Sequence, residues 1–504
     1  MTTSPRHKRS KVIWVEVALV LILCLYLQSG LAGDQTAHAN PIVTIEDQST
    51  QQQLITVDLI VNGDYLVTME PDSPVITNGA VAIKDGVIIA VGLASEISGQ
   101  YSSKQVLAGD QRIVMPGLIN GHSHAAMTLL RGVAEDLTLM DWLNNFIFPA
   151  EVEFVDADFV RIGAELACWE MIRGGTTTFV DMYYFPDETA KVAERCGMRA
   201  MIATTVIDQP SPDAKNAADA IQNGLAYIER WKEKNSRITP IFGPHASYTL
   251  NAEQLKTVHD AAKKAGVGVT MHMSESPFEL EYSQNTYGKT SIEMLDSIGF
   301  LDPPVIAAHV VWPTAVEIPI LVKRKVGVIN NPTSNMKIAS GIAPIVDMLD
   351  AGVRVGLGTD GAASNNDLDM WEEMRLAALS QKVAKMDPKV LPARTVLNMA
   401  TLGGAQAIGL DKSIGSLRVG KRADLIQVST EDVHFVPMYD VISHLIYVAD
   451  EQDVASVIVD GRILMRDHDM LTIDTERVRS EANALAARIQ KALYERQATI
   501  PEKQ

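Results

Sequence analysis

The sequence predicts an α/β protein: a (β/α)8 barrel with a β-sandwich built from segments at its two ends. Three observations predict it. From residue 113 to 360 one phrase recurs eight times: an apolar or β-branched run, a polar or glycine-rich tip, then an amphipathic stretch. Eight such units in about 250 residues match the count and size of a closed barrel. Polar residues end nearly all of these runs, where a barrel gathers its site, whereas a doubly wound open sheet gathers one at a single switch point. Last, residues 55–105 and 414–470 each carry an apolar run, Asp-Gly and a second apolar run, which is a hairpin signal. Each region is too small to hold a core alone, so the two are expected to pack together.

Taken in order, residues 1–39 stand apart from this plan. Arg6, Lys8, Arg9 and Lys11 precede an apolar stretch that is uninterrupted over 17–27, and small residues follow as far as Ala37-His38-Ala39. This is the order of a secretory signal. The run is shorter than the roughly 20 residues of a membrane span, and reading 12–32 as an anchor accepts Glu16 near its start. Cleaved or retained, the basic flank stays cytoplasmic. The expectation is an exported protein, periplasmic or membrane-anchored, that touches a membrane only through this segment. The first sandwich part is assigned to 55–112, the barrel to 113–410, the second sandwich part to 411–470, and a charged helix to 471–504, roughly Thr475–Gln497. Among the helical segments between strands, residues 252–265 end at Gly266 as a helix C-cap would.

Composition narrows the function. A 47% hydrophobic and 21% charged chain is neither disordered nor collagen-like. Three cysteines in 504 residues exclude a disulfide scaffold. Cys168 and Cys196 follow the apolar leader and are read as unpaired core residues. A net charge of −18 disfavours a nucleic-acid binder, which needs a basic face. No GxxxxGK[ST] loop is present, and no GxGxxG stands at a strand–helix junction, so nucleotide-cofactor enzymes lack support.

Chemistry collects at the strand tips. His122 and His124 are two apart at the end of the first strand and so share a face. His272 ends the fifth strand, His309 the sixth and Asp360 the eighth. One such histidine is ordinary packing. Four histidines and an aspartate on one rim suit a borderline divalent cation such as zinc, with iron(II) as the alternative and one position left open for water.

In this order and spacing, NGHSH, HMSES, AAHVVW and GLGTDGAASNN resemble the amidohydrolase superfamily. LLRGVAEDLTLMDWLNNFIFPAE narrows the resemblance to the branch of methylthioadenosine and S-adenosylhomocysteine deaminases, with triazine hydrolases nearby. It covers about residues 55–470. The resemblance implies that His122, His124, His272 and Asp360 hold one metal ion, that His309 contacts the water, and that Asp360 takes its proton. The fourth strand ends in GPHASYT without the lysine that bridges two metals in some members. Glu275, three residues beyond His272, is the implied proton carrier, the role a non-ligand glutamate has in zinc deaminases. Glu151 and His245 match positions that contact the nucleoside, with Ser364 and Asn365 beside them and Trp142 helping to close the site. Members that accept S-adenosylhomocysteine place arginines beyond the third strand. Here IATTVIDQPSPDAKN offers Thr204, Thr205 and Lys215, which favours a neutral tail.

The leading expectation is therefore a metal-dependent aminohydrolase of an adenine nucleoside (5′-methylthioadenosine, S-adenosylhomocysteine or adenosine), homo-oligomeric, with a small-molecule substrate and no nucleic-acid partner. A triazine-type hydrolase displacing chloride or an amine is the second reading. A non-catalytic binding barrel is the third, and the full set of ligands with Glu275 argues against it.

Overall fold

The computed structural model describes residues 53–302 and 304–497; the basic–apolar–small segment over 1–39 lies outside them. Eight parallel strands form one sheet in sequence order: β1 (Leu118–Ser123), β2 (Thr176–Tyr183), β3 (Arg199–Val206), β4 (Ile238–Pro244), β5 (Val269–Met273), β6 (Val305–His309), β7 (Gly327–Asn330) and β8 (Arg354–Leu357). Each pairs in parallel with the next. The ring closes at the carboxyl end, where Ser123 bridges Asp360 and the Asp360 amide donates to His122 O at 3.0 Å. The closure thus lies among the candidate metal ligands. Ile119, Val180, Met201, Ile241, Ile306 and Ile329, from six strands, pack in one buried cluster, the filled interior expected of an eight-stranded barrel.

The two flanking regions combine, and the join is a strand pairing. Arg112–Pro116 pairs antiparallel with Leu425–Ser429 and parallel with Leu59–Leu66, so that segments from both ends form one nine-stranded sheet. Leu59, Val81, Val114, Leu425 and Ile458 make its core. The Asp-Gly pairs do what their chemistry demands: Asp85 and Gly86, then Asp460 and Gly461, all take positive φ at the hairpin tips. The run that begins at Ile113 divides at Gly117. Its first half joins this sheet and its second half opens the barrel. A Cβ at Gly117 would stand 2.1 Å from the Thr177 side chain, so only glycine allows the chain to pass from sheet to barrel there.

The helix Ala252–Ala265 starts with an Asn251–Gln254 capping box and ends at Gly266 with φ +67°. Cys168 and Cys196 are buried and unbridged. The C-terminal helix Thr475–Gln497 lies on Ala157–Arg173 through Arg161–Glu481 and Arg477–Glu165 ion pairs, both 2.9 Å, with Val478 and Ile489 buried. Among the described residues no helix is long and apolar enough to cross a membrane.

Candidate active site

The donor atoms of His122, His124, His272 and Asp360 all lie within 4.8 Å of one another at the carboxyl mouth of the barrel. His124 Nδ1 lies 2.5 Å from Met182 O, and His272 Nδ1 lies 3.0 Å from His245 O. A carbonyl oxygen only accepts, so each Nδ1 carries its hydrogen and each Nε2 is left with a lone pair. Those two Nε2 atoms face each other at 3.2 Å. Two lone pairs at that distance require a proton or a cation between them. His122 is fully buried, and neither ring nitrogen makes a hydrogen bond. Three imidazoles and one carboxylate of this kind fit a divalent ion of the zinc type.

Asp360 divides its two oxygens. Oδ1 lies 3.1 Å from His124 Nε2 and 3.4 Å from His122 Nε2, while Oδ2 accepts from Ser334 Oγ at 2.7 Å and Ser364 Oγ at 2.9 Å. Burial disfavours its charge, but the two histidines prevail and hold it well below the usual carboxylate range. His122 is pushed down to about 4 by burial. His309 and Asp360 both take left-handed backbone, φ +73° and +64°, as the chain leaves its strand. Such conformations in non-glycine residues cluster at functional sites. His309 Nδ1 lies 2.8 Å from Asn335 Oδ1, which leaves Nε2 as an acceptor.

The remaining predicted residues line the same cavity: Glu275, Glu151, His245, Ser364 and Trp142. Glu275 is buried, and burial lifts its carboxyl to about 7. Glu151, on the helix Phe148–Phe154, is raised to about 7 for the same reason and accepts from Tyr184 OH at 3.3 Å. Burial lowers His245 to about 3. One expectation is corrected: Asn365 does not line the cavity; its amide donates to Thr359 O at 2.8 Å and to Glu373 Oε1 at 2.6 Å behind it. Lys215, the one basic residue of the segment beyond the third strand, stands with Thr204 at a separate surface depression, and only Thr205 of that segment reaches the site.

Sequence reasoning missed the supports. Glu279 is wholly buried and accepts from Ser247, Ser291 and the Glu275 amide at 2.7–2.9 Å, so it fixes the loop that carries Glu275. The cavity itself is narrow, about 50 Å³, room for a few waters at roughly 10–15 Å³ each.

A barrel with this ligand set at its carboxyl rim defines a metal-dependent hydrolase. The chain belongs to the amidohydrolase family, whose profile matches residues 113–464. The 5′-deoxyadenosine deaminase of Methanosarcina barkeri is 45% identical over 430 residues, 85% of this chain and 98% of that one. The 5-methylthioadenosine/S-adenosylhomocysteine deaminase of Syntrophobacter fumaroxidans is 44% identical over 435 residues, 86% and 98% of the two chains. A zinc-bound adenosine deaminase structure from Xanthomonas campestris superimposes with a TM-score of 0.85 at 36% identity, covering 87% of this chain and all of that one.

Proposed function

We propose that this protein is a zinc-dependent aminohydrolase that converts an adenine nucleoside to its inosine analogue and ammonia. The observation that carries the reading is Glu275: a buried carboxyl, raised to about 7, in one cavity with the four-residue metal site. The homologous deaminases described above support it. His122, His124, His272 and Asp360 would hold the ion, which would supply the Lewis acidity that brings the pKa of water towards neutrality. The chain's own residues do the rest. Asp360 stays ionised and is oriented by Ser334 and Ser364, so it can accept the proton that the water gives up. His309, held by Asn335, offers Nε2 to the same water. Glu275, protonated below about 7, passes its proton to the purine ring nitrogen beside the attacked carbon and regains one from the added hydroxyl as the carbonyl forms, while the proton taken up by Asp360 goes to the amine, which departs as ammonia. Glu151, still able to accept hydrogen bonds, suits the ribose hydroxyls.

The test is a release assay. Ammonia should appear from adenosine-type nucleosides and chloride should not appear from chlorotriazines; chloride release alone would replace the deaminase reading with a triazine-type one. We also propose that the catalytic domain is exported, which rests on the basic–apolar–small order of residues 1–39. A reporter enzyme fused after Gln504 is expected to work only outside the cytoplasm, and activity confined to the cytoplasm contradicts export.

A further inference from the structure

We infer that Asn120 and Thr359 form a clasp across the seam of the barrel, and that this clasp sets the affinity for the metal ion by presenting the histidines of β1 to the aspartate beyond β8. The inference rests on the metal site described above and extends it to positioning residues that hold no ion themselves. His122 and His124 belong to the end of β1, His272 to β5, and Asp360 to the turn after β8. Since β1 and β8 are the first and last strands, Asp360 meets the β1 histidines only where the ring closes. Among the described residues these two strands share no run of paired residues, only the Ser123–Asp360 bridge, with the Asp360 amide donating to His122 O at 3.0 Å. One backbone hydrogen bond is a modest tether. His122 adds to the need for another, because neither of its ring nitrogens makes a hydrogen bond. Carbonyl oxygens orient His124 and His272 through Nδ1, whereas His122 is placed through its backbone and its packing.

Side chains supply the second tether. Asn120 stands two residues before His122, and so on the same face of β1; it and Thr359 are fully buried. The Asn120 amide meets Thr359 twice: Nδ2 donates to Oγ1 at 2.7 Å, and Oδ1 accepts from the Thr359 amide at 3.1 Å. The same Oδ1 accepts from His122 N at 3.4 Å, and the Thr359 hydroxyl donates to Asp360 O at 3.0 Å. The clasp therefore touches the backbone of one candidate ligand on each side of the seam. Gly358 permits the approach, because a Cβ there would stand 2.7 Å from His122 N. Asn365 holds Thr359 from behind through its carbonyl, and is itself held by Glu373 of the helix Met370–Lys385. Each backbone and side-chain polar atom of Thr359 is engaged. A buried network satisfied in this way specifies one geometry, and ligands already held in place lose less freedom when an ion binds.

The experiment measures zinc binding in the full chain by competition with a chromophoric chelator. Thr359→Val deletes the hydroxyl at nearly constant volume, Thr359→Ser keeps it, and Asn120→Ala removes both contacts. The zinc dissociation constant should rise about 10- to 100-fold in Thr359→Val and Asn120→Ala, the range for partners that orient a ligand, and stay within about 3-fold of wild type in Thr359→Ser. Melting temperatures separate positioning from plain stiffening of the barrel. Stiffening alone would lower the stripped and zinc-loaded proteins equally. Weaker binding instead shrinks the rise that zinc produces, because that rise follows the ratio of free ion to dissociation constant. A folded Thr359→Val protein that binds zinc within about 3-fold of wild type, or whose zinc-induced rise equals the wild type's, overturns the clasp. Should Asn120→Ala not fold, the near-isosteric Thr359→Val decides alone. Wild-type protein that binds no zinc overturns the metal site itself, whereas equal binding by wild type and variants overturns only the clasp.

Discussion

Glu275→Gln is expected to keep its metal ion and its nucleoside affinity while losing at least about 100-fold in kcat, since a general acid–base group contributes on the order of 10²–10⁴ in rate. The structure separates the two functions. Glu275 is not one of the four residues whose donor atoms converge, and its loop is held through the backbone: Glu279 accepts from the Glu275 amide at 2.9 Å. Glutamine therefore changes the proton chemistry without removing a ligand or a loop anchor. The loss should appear in kcat rather than KM, the pattern of an interaction made only in the transition state. The pH dependence has a definite sign. Burial raises this carboxyl to about 7, so the protonated donor is populated below that value and depleted above it. Wild-type kcat/KM should fall on the alkaline side of about 7, and the Glu275→Gln residual activity should lack that limb. Chloride leaves without protonation, so any chloride release should suffer less than ammonia release. A mutant that deaminates 5′-methylthioadenosine at the wild-type rate removes Glu275 from the mechanism.

What the sequence made legible follows from periodicity. Strand ends are visible because a β-branched run stops at a polar tip, and the four ligands and Glu275 all sit at or just past such stops. The Asp-Gly turns are visible because only a few residue types tolerate positive φ at both positions. The residues that hold the ligands were not legible in that role, Ser364 being expected only beside the nucleoside. Asn335, Ser334 and Ser364 meet His309 and Asp360 only after strands β6, β7 and β8 are brought side by side. Glu279 reads as an ordinary first-turn acid of the helix Pro277–Tyr287, and its use by Ser247 and Ser291 appears only in the folded molecule. The apolar lining of the cavity was hidden differently. Leu139, Leu143 and Ile147 recur at helical spacing, which is the signature of plain core packing. Part of that helical stretch, Leu143–Ile147, is a π-turn, a feature that helices often carry at functional sites and that has no distinct residue pattern.

Asp360→Ala is the most damaging single change expected, because it removes a charge, a ligand and a proton acceptor together. Its Oδ1 is the one carboxylate oxygen in the converging donor set, so alanine leaves three neutral imidazoles to hold a dication. The purified variant should carry well below one ion per chain. Turnover should fall by at least about 1,000-fold, since water without the ion returns from a pKa of about 7 towards about 15.7. Serine controls separate this loss from general disruption of the site. Ser334 and Ser364 touch only Oδ2, and Ser364→Ala should retain the ion with a loss of roughly 10- to 100-fold, as for other partners that orient a ligand. Wild-type protein stripped with a chelator should recover on adding Zn2+, whereas stripped Asp360→Ala should not. Folding is checked independently by circular dichroism. The Asp360 amide still donates to His122 O after the substitution, although alanine accepts the left-handed φ of +64° less readily than aspartate. A small loss of thermal stability is therefore expected, and loss of the folded spectrum is not. A folded Asp360→Ala protein that holds one ion per chain and turns over at the wild-type rate would remove Asp360 from the metal site, and with it the reason for placing the reaction there.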